Sequence, residues 1–269
     1  MLIACKRLNR KISASFNKIL KMKKLYKKGL FCLVIVIVIT VFLFFGFVLK
    51  FKLEKDKMTP IETKEIVENI YSIRDSFVNL YLIKTGGHYI AIDCGNNLNF
   101  VSKELKRLKI NPEKIIAIFL THTDMDHVAA IKLFKNATLY LGAQEEKLID
   151  GKKSRFLFTG NKIDTKKYSA IVDQQILTIE NIVIKGILTP GHTPGSMCYL
   201  LNDKYLFTGD LISIKNDEVE KFNEFFNMDT QTAINSIEKI TNFPKCEYIF
   251  SSHYGYTNNY KNAVIDWIK

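Results

Sequence analysis

Four of the five histidines in this chain stand just behind a short apolar run, and that placement constrains the fold more than any other feature. Ile115-Ile116-Ala117-Ile118-Phe119-Leu120 leads into Thr121-His122-Thr123-Asp124-Met125-Asp126-His127, two imidazoles and two carboxylates in one sharp turn. The run from Ile182 to Leu188 leads to His192, inside Thr189-Pro190-Gly191-His192-Thr193-Pro194-Gly195-Ser196. Tyr205-Leu206-Phe207-Thr208-Gly209 leads to Asp210, and Tyr248-Ile249-Phe250-Ser251-Ser252 leads to His253. Short apolar runs closed by Pro/Gly turns read as buried strands, and open sheets gather their chemistry beyond the strand ends. Packing gives no reason to collect imidazoles and carboxylates there, whereas both are metal ligands. The expectation is an α/β protein whose strand ends converge on a metal site.

Taken in order, these segments resemble the motifs of the metallo-β-lactamase-fold hydrolase superfamily, from about Ile70 to the end of the chain. Tyr89-Ile90-Ala91-Ile92-Asp93-Cys94-Gly95 resembles the family's early motif, Thr121 to His127 its signature turn, and the His192, Asp210 and His253 segments its three later motifs. The resemblance implies a four-layer αββα sandwich with two divalent metal ions, zinc foremost. His122 and His192 would hold the first metal with residue 124; Asp126, His127 and His253 would hold the second; Asp210 would bridge them. Asp93 would orient ligands rather than bind metal; from the residues alone it reads equally as a turn-forming Asp after a buried strand.

Position 124 departs from the family, which usually has His where this chain has Asp. Asp124 either still ligates, making Mn²⁺ or Fe²⁺ more competitive with Zn²⁺, or the first site is weakened and one metal sits with Asp126, His127, Asp210 and His253. The expected nucleophile is a metal-bound hydroxide, with Asp126 or Asp210 as the proton shuttle. Cys94 and Cys198 lie in apolar strand-like contexts and read as packing residues. His88 follows Gly86-Gly87 and reads as a residue near a solvated hairpin turn.

The substrate is expected to be a small molecule carrying an ester, thioester, amide or similar bond. The turn around His192 is similar to that of glyoxalase-II-type thioesterases. The His-x-Asp-x-Asp-His pattern also resembles the nuclease-like domain of DNA-uptake channel proteins, which keeps phosphodiester hydrolysis as an alternative. Its support is a basic cluster, Lys152, Lys153, Arg155, Lys162, Lys166 and Lys167, otherwise read as a solvated segment, so nucleic acid is not favoured. A non-catalytic metal-binding sensor is the third reading, motivated by Asp124.

Leu30 to Leu49 is twenty residues without a charge, enough to span a bilayer at about 1.5 Å per residue. It shows no polar face, unlike a core helix of that length. Residues 1–29 carry ten Lys or Arg and no acid; beyond the run, basic and acidic residues mix. Lys/Arg bias of this kind places the N-terminus in the cytoplasm and the following domain outside. The absence of small residues between Gly46 and Met58 argues for an uncleaved signal anchor. The expected organisation is a basic tail over 1–29, a transmembrane helix over 30–49, a linker over 50–65 and a hydrolase domain over 66–269. The net charge of +12 is therefore a topology signal: residues 1–50 hold +11 of it and the remainder +1.

Within the domain, Phe77–Ile83 and Tyr89–Asp93 read as a hairpin. Leu98–Lys109, Asp126–Phe134, Thr230–Ile240 and Tyr260–Ile268 read as helices. The stretch Ile212–Met228 should line or cover the pocket, with Phe222, Phe225 and Phe226 either touching an apolar substrate group or packing on the core. Cys94, Cys198 and Cys246 follow the apolar run without metal-type spacing.

Overall fold

A computed structural model describes residues 2–155, 160–163, 165, 167–243 and 246–268, with side chains from Lys18 onward except Ile19. Contacts divide the chain into two units, residues 1–55 and 56–269. The first is one helix, α1 (Leu2–Lys55). Its stretch Leu20–Lys55 is long and apolar enough to cross a membrane. The Val, Ile, Leu and Phe side chains from Leu30 to Leu49 are exposed on every side.

In the second unit, strand alternation sets the layers. A seven-stranded sheet runs in chain order: β1 (Lys64–Val67), β2 (Ile70–Asp75), β3 (Val78–Thr85), β4 (His88–Ile92), β5 (Ile115–Phe119), β6 (Thr138–Gly142) and β7 (Ser169–Ile171). Its first four strands are antiparallel, the hairpin β3–β4 turning at Gly86-Gly87 as expected. Strands β4 to β7 are parallel. The second sheet contains β8 (Ile176–Ile179), β9 (Ile182–Leu188), β10 (Met197–Leu201) and β11 (Tyr205–Phe207). A small hairpin, β12 (Ile212–Lys215) with β13 (Glu218–Lys221), leaves this sheet, and β14 (Tyr248–Phe250) and β15 (Tyr256–Thr257) complete it in the order β15-β14-β11-β10-β9-β8.

Both sheets are buried on both faces, so successive residues enter different cores. Along β3, Leu80 and Leu82 face one core while Tyr81 and Ile83 face the next. Along β10, Met197, Tyr199 and Leu201 join the core between the sheets, while Cys198 and Leu200 face outward. The outer core of the first sheet takes Val101 and Leu105 from α2 (Leu98–Arg107). That of the second takes Ala233 and Ile237 from a later helix, Thr230–Lys239, and Tyr260 near the end of the chain. Three cores separate four layers, the αββα sandwich expected. Cys94 and Cys198 are buried as packing residues, and burial pushes the Cys198 thiol up to about 12.

The expected helix Asp126–Phe134 is broken. Only Met125–Val128 is α-helical (α3), followed by a single 3₁₀ turn at Ile131–Leu133. Its backbone is drawn off by tertiary bonds: Cys94 N–H donates to His127 O at 2.7 Å and Ala129 N–H to Gly95 O at 3.1 Å. A short helix α4 (Glu146–Ile149) follows β6. Thr230–Lys239 forms α5, capped by Asp229, whose carboxylate accepts from Thr232 N–H. The expected terminal helix shortens to α6 (Tyr260–Ala263) and a 3₁₀ turn at Ile265–Trp267.

Candidate metal centre

The ends of β4, β5, β6, β9, β11 and β14 point the same way, and each delivers a polar residue to one cluster. Asp210, behind β11, lies at its middle. Its carboxylate is 3.2 Å from His253 Nε2, 3.4 Å from His127 Nε2, 3.4 Å from His192 Nε2 and 3.9 Å from His122 Nε2. Gly209, just before it, takes φ +56°, and a Cβ there would lie 2.6 Å from Thr121, so the turn into Asp210 needs glycine. Asp124 lies 3.2 Å from His192 Nε2 and 3.6 Å from His122 Nε2. Asp126 lies 3.5 Å from His253 Nε2 and 3.7 Å from His127 Nε2. All seven residues singled out from the sequence therefore meet.

Each imidazole is held by its other nitrogen. His127 Nδ1 is 2.8 Å from Asp93 Oδ2 and His253 Nδ1 is 2.7 Å from Phe77 O. His192 Nδ1 is 3.3 Å from Asn227 Oδ1. His122 Nδ1 is 3.1 Å from Thr121 Oγ1, whose own hydrogen is given to Asp93 Oδ2. Acceptors at all four Nδ1 atoms fix the tautomers and aim every Nε2 inward. Asp93 does what was expected of it: it also accepts Thr121 N–H at 2.7 Å and holds φ +63°, the left-handed region that Asp tolerates better than most residues.

The donor set fits a metal. Among the described residues, His122 Nε2, His127 Nε2 and Asp210 Oδ1 are buried with no hydrogen-bond partner, a costly state unless a cation completes them. Three overlapping groups bring ligand atoms close enough to share an ion: His122, Asp124 and His192; His122, His127 and Asp210; Asp126, His127 and His253. Burial opposes charge on Asp210, yet His253, His127 and His192 hold its carboxyl well below the usual range. Burial likewise disfavours the imidazolium of His127, but Asp210, Asp93 and Asp126 outweigh it and raise its pKa well above the ordinary value. His253 is raised in the same way, whereas burial, helped by His122 and Arg155, lowers His192.

Several site residues have no signal in the histidine pattern. Glu145, fully buried behind β6, accepts Thr123 N–H at 2.9 Å, Thr123 Oγ1 at 2.5 Å, Thr193 Oγ1 at 2.5 Å and Gly195 N–H at 3.0 Å. It binds the signature turn to the His192 turn. A Cβ on Gly195 would come within 2.2 Å of Glu145 N, so this approach also requires glycine. Glu145 could have been found by the strand-end rule that found the histidines.

Arg155 is the main correction. Read as part of a solvated basic cluster, its side chain is 3% exposed and lies in the site, 2.7 Å from Asp124. Lys166 of that cluster lies outside the described residues. Phe222 and Phe226 are buried walls of the site, the Phe222 ring 5.3 Å from that of His192. His88 is partly exposed near its turn, as expected, and pairs with Glu180 at 2.7 Å.

The family model for the metallo-β-lactamase superfamily matches residues 73–253, from β2 to the last histidine of the cluster. The chain belongs to this superfamily. A probable metallo-hydrolase of Methanocaldococcus jannaschii is 32% identical over 147 residues, covering 55% of this chain and 62% of that protein. A hydroxyacylglutathione hydrolase of Buchnera aphidicola is 31% identical over 195 residues, covering 70% of this chain and 66% of that protein. The chain thus spans between about a third and two thirds of the length of the curated relatives it matches. Among solved structures, a B3 metallo-β-lactamase with an active-site glutamic acid superposes with a TM-score of 0.60 at 19% identity, covering 80% of this chain and 91% of that one. Shared superfamily fold and converging ligands together support a divalent metal here.

Proposed function

We propose that residues 56–269 form a metal-dependent hydrolase of small-molecule esters or thioesters, held at a membrane by α1 with the domain outside the cytoplasm. The observation that carries the reading is the convergence of four inward-facing Nε2 atoms on Asp210, three site atoms remaining without partners. The residues available to a divalent ion, zinc first for so many imidazoles, are His122, Asp124, Asp126, His127, His192, Asp210 and His253. When bound, such an ion supplies an acidified water and a Lewis acid for the carbonyl under attack.

The chain's own residues do the rest. Asp210 is nearly buried and balances the imidazoles, whereas the side chain of Asp126 is 20% exposed and can pass a proton outward. Phe222 and Phe226 exclude water from the His192 side. Thioesters are favoured by the His192 turn and by the likeness to a hydroxyacylglutathione hydrolase. For the phosphodiester alternative, the basic cluster loses Arg155 to the site interior.

The test is hydrolysis by the detergent-solubilised full chain of a glutathione thioester, a p-nitrophenyl ester and bis(p-nitrophenyl) phosphate. Thioester or ester turnover is expected to fall about a hundredfold or more in Asp210→Ala, beyond the range of residues that only orient ligands. Turnover unchanged by Asp210→Ala would sink the metal mechanism, and cleavage of the phosphodiester alone would move the assignment to a nuclease.

A further inference from the structure

The donors of the site divide into two sets, and Arg155 divides them. Its Nε lies 2.8 and 2.9 Å from Oδ1 and Oδ2 of Asp124, and its Nη2 lies 2.7 Å from Oδ2. The same Nη2 is 3.1 Å from His192 Nε2 and 2.8 Å from Phe226 O. Asn161 Nδ2 adds a further donor to Asp124 Oδ1 at 2.9 Å. His192 Nδ1 faces Asn227 Oδ1 at 3.3 Å, and in the tautomer with the hydrogen on Nδ1 the one in-plane lone pair left, on Nε2, faces Arg155 Nη2. A lone pair accepting an N–H cannot also ligate a metal, and a guanidinium keeps its proton inside a protein. The three buried atoms without hydrogen-bond partners among the described residues, His122 Nε2, His127 Nε2 and Asp210 Oδ1, belong to one candidate ligand group that includes neither Asp124 nor His192.

We infer that the Arg155 guanidinium takes the place of a metal at the Asp124–His192 corner, so that this chain holds one divalent ion, among His122, Asp126, His127, Asp210 and His253. The inference rests on the metal-dependent reading above. Asp124 is then the anchor of Arg155 and not a ligand, which explains a carboxylate at that position: it takes the fork of the guanidinium through both oxygens, as an imidazole cannot. The guanidinium also joins the segment behind α4 to the one behind β13, setting a fixed cation beside the remaining metal position.

The experiment is metal content by elemental analysis, with calorimetric titration, on the detergent-solubilised full chain equilibrated with zinc or with manganese(II). One equivalent is expected in the native chain, two in Arg155→Met, and still one in Asp124→Ala. Two equivalents in the native chain overturn the inference and leave the hydrolase reading standing. One equivalent in both the native chain and Arg155→Met overturns it too, because Arg155 would then exclude nothing. No metal in the native chain overturns the metal-dependent reading beneath it. Should Arg155→Met fail to fold, Asp124→Ala decides: loss of an equivalent makes Asp124 a ligand and overturns the inference.

Discussion

At the scale of single residues the site is a balance of buried charge and hydrogen bonds, and Glu145 shows how tight that balance is. Its carboxylate receives two backbone N–H groups and two hydroxyls from the two turns that carry His122 and His192. Each buried donor left without an acceptor costs about 1–3 kcal/mol, so Glu145→Ala should lose several kcal/mol in urea denaturation. Glu145→Gln, which keeps one accepting oxygen, should lose less. If Glu145→Ala unfolds with the native midpoint, the carboxylate is not what joins the turns. Histidines, Asp93 and Asp210 were legible in the sequence because a short polar side chain at a strand end has few places to go. Arg155 was not: it sits in an irregular segment, and the reach of a long side chain is decided by the acceptors it meets in space, here Asp124, His192 and the Phe226 carbonyl.

At the scale of elements, β3, β4, β5, β9, β10, β11 and β14 were legible from apolar runs and turn residues, and α2 and α5 from their apolar stripes, whereas the other strands, short or at sheet edges and hairpins, were not read. The failures lie where tertiary hydrogen bonds compete with local ones, as in Met125–Val128, whose neighbouring backbone groups bind the loop after β4. One element contact titrates. Asp173, between β7 and β8, accepts from Lys239 at the end of α5 at 2.7 Å and from Leu188 N–H at 2.8 Å. Burial opposes its charge, but those bonds together outweigh it and its pKa is lowered from 3.8. A carboxylate with a depressed folded pKa stabilises above the unfolded pKa, and the gain is lost as pH falls through the folded one. The pair is over a third exposed, so Asp173→Asn should cost less than about 1 kcal/mol at pH 7. The gap between the native and variant denaturation midpoints should narrow as pH drops below about 4, near the unfolded value. A gap that stays constant from pH 7 to 3 would show that the charge of Asp173 contributes nothing.

At the scale of the whole molecule, the two units present different surfaces. In residues 56–269 most of the large apolar side chains are folded into three cores, whereas α1 leaves a run of Val, Ile, Leu and Phe exposed all round. Removing each such side chain from water is worth about 1.5–3 kcal/mol, far more in sum than a helix can forgo. Leu20–Lys55, at 36 residues, exceeds the ~20 needed to cross a hydrocarbon core, so in the proposed bilayer its Lys-bearing ends would reach the interfaces. Ten basic residues and no acid precede the apolar run, while Lys50, Lys52, Glu54, Lys55, Asp56 and Lys57 follow it. That asymmetry is the argument for orientation. Cells expressing the full chain with a C-terminal epitope should retain it in carbonate-washed membranes, and antibody should label it without permeabilisation. Release by carbonate would refute the anchor. Labelling only after permeabilisation would keep the anchor but place the site in the cytoplasm, where its substrate would have to be an intracellular ester or thioester.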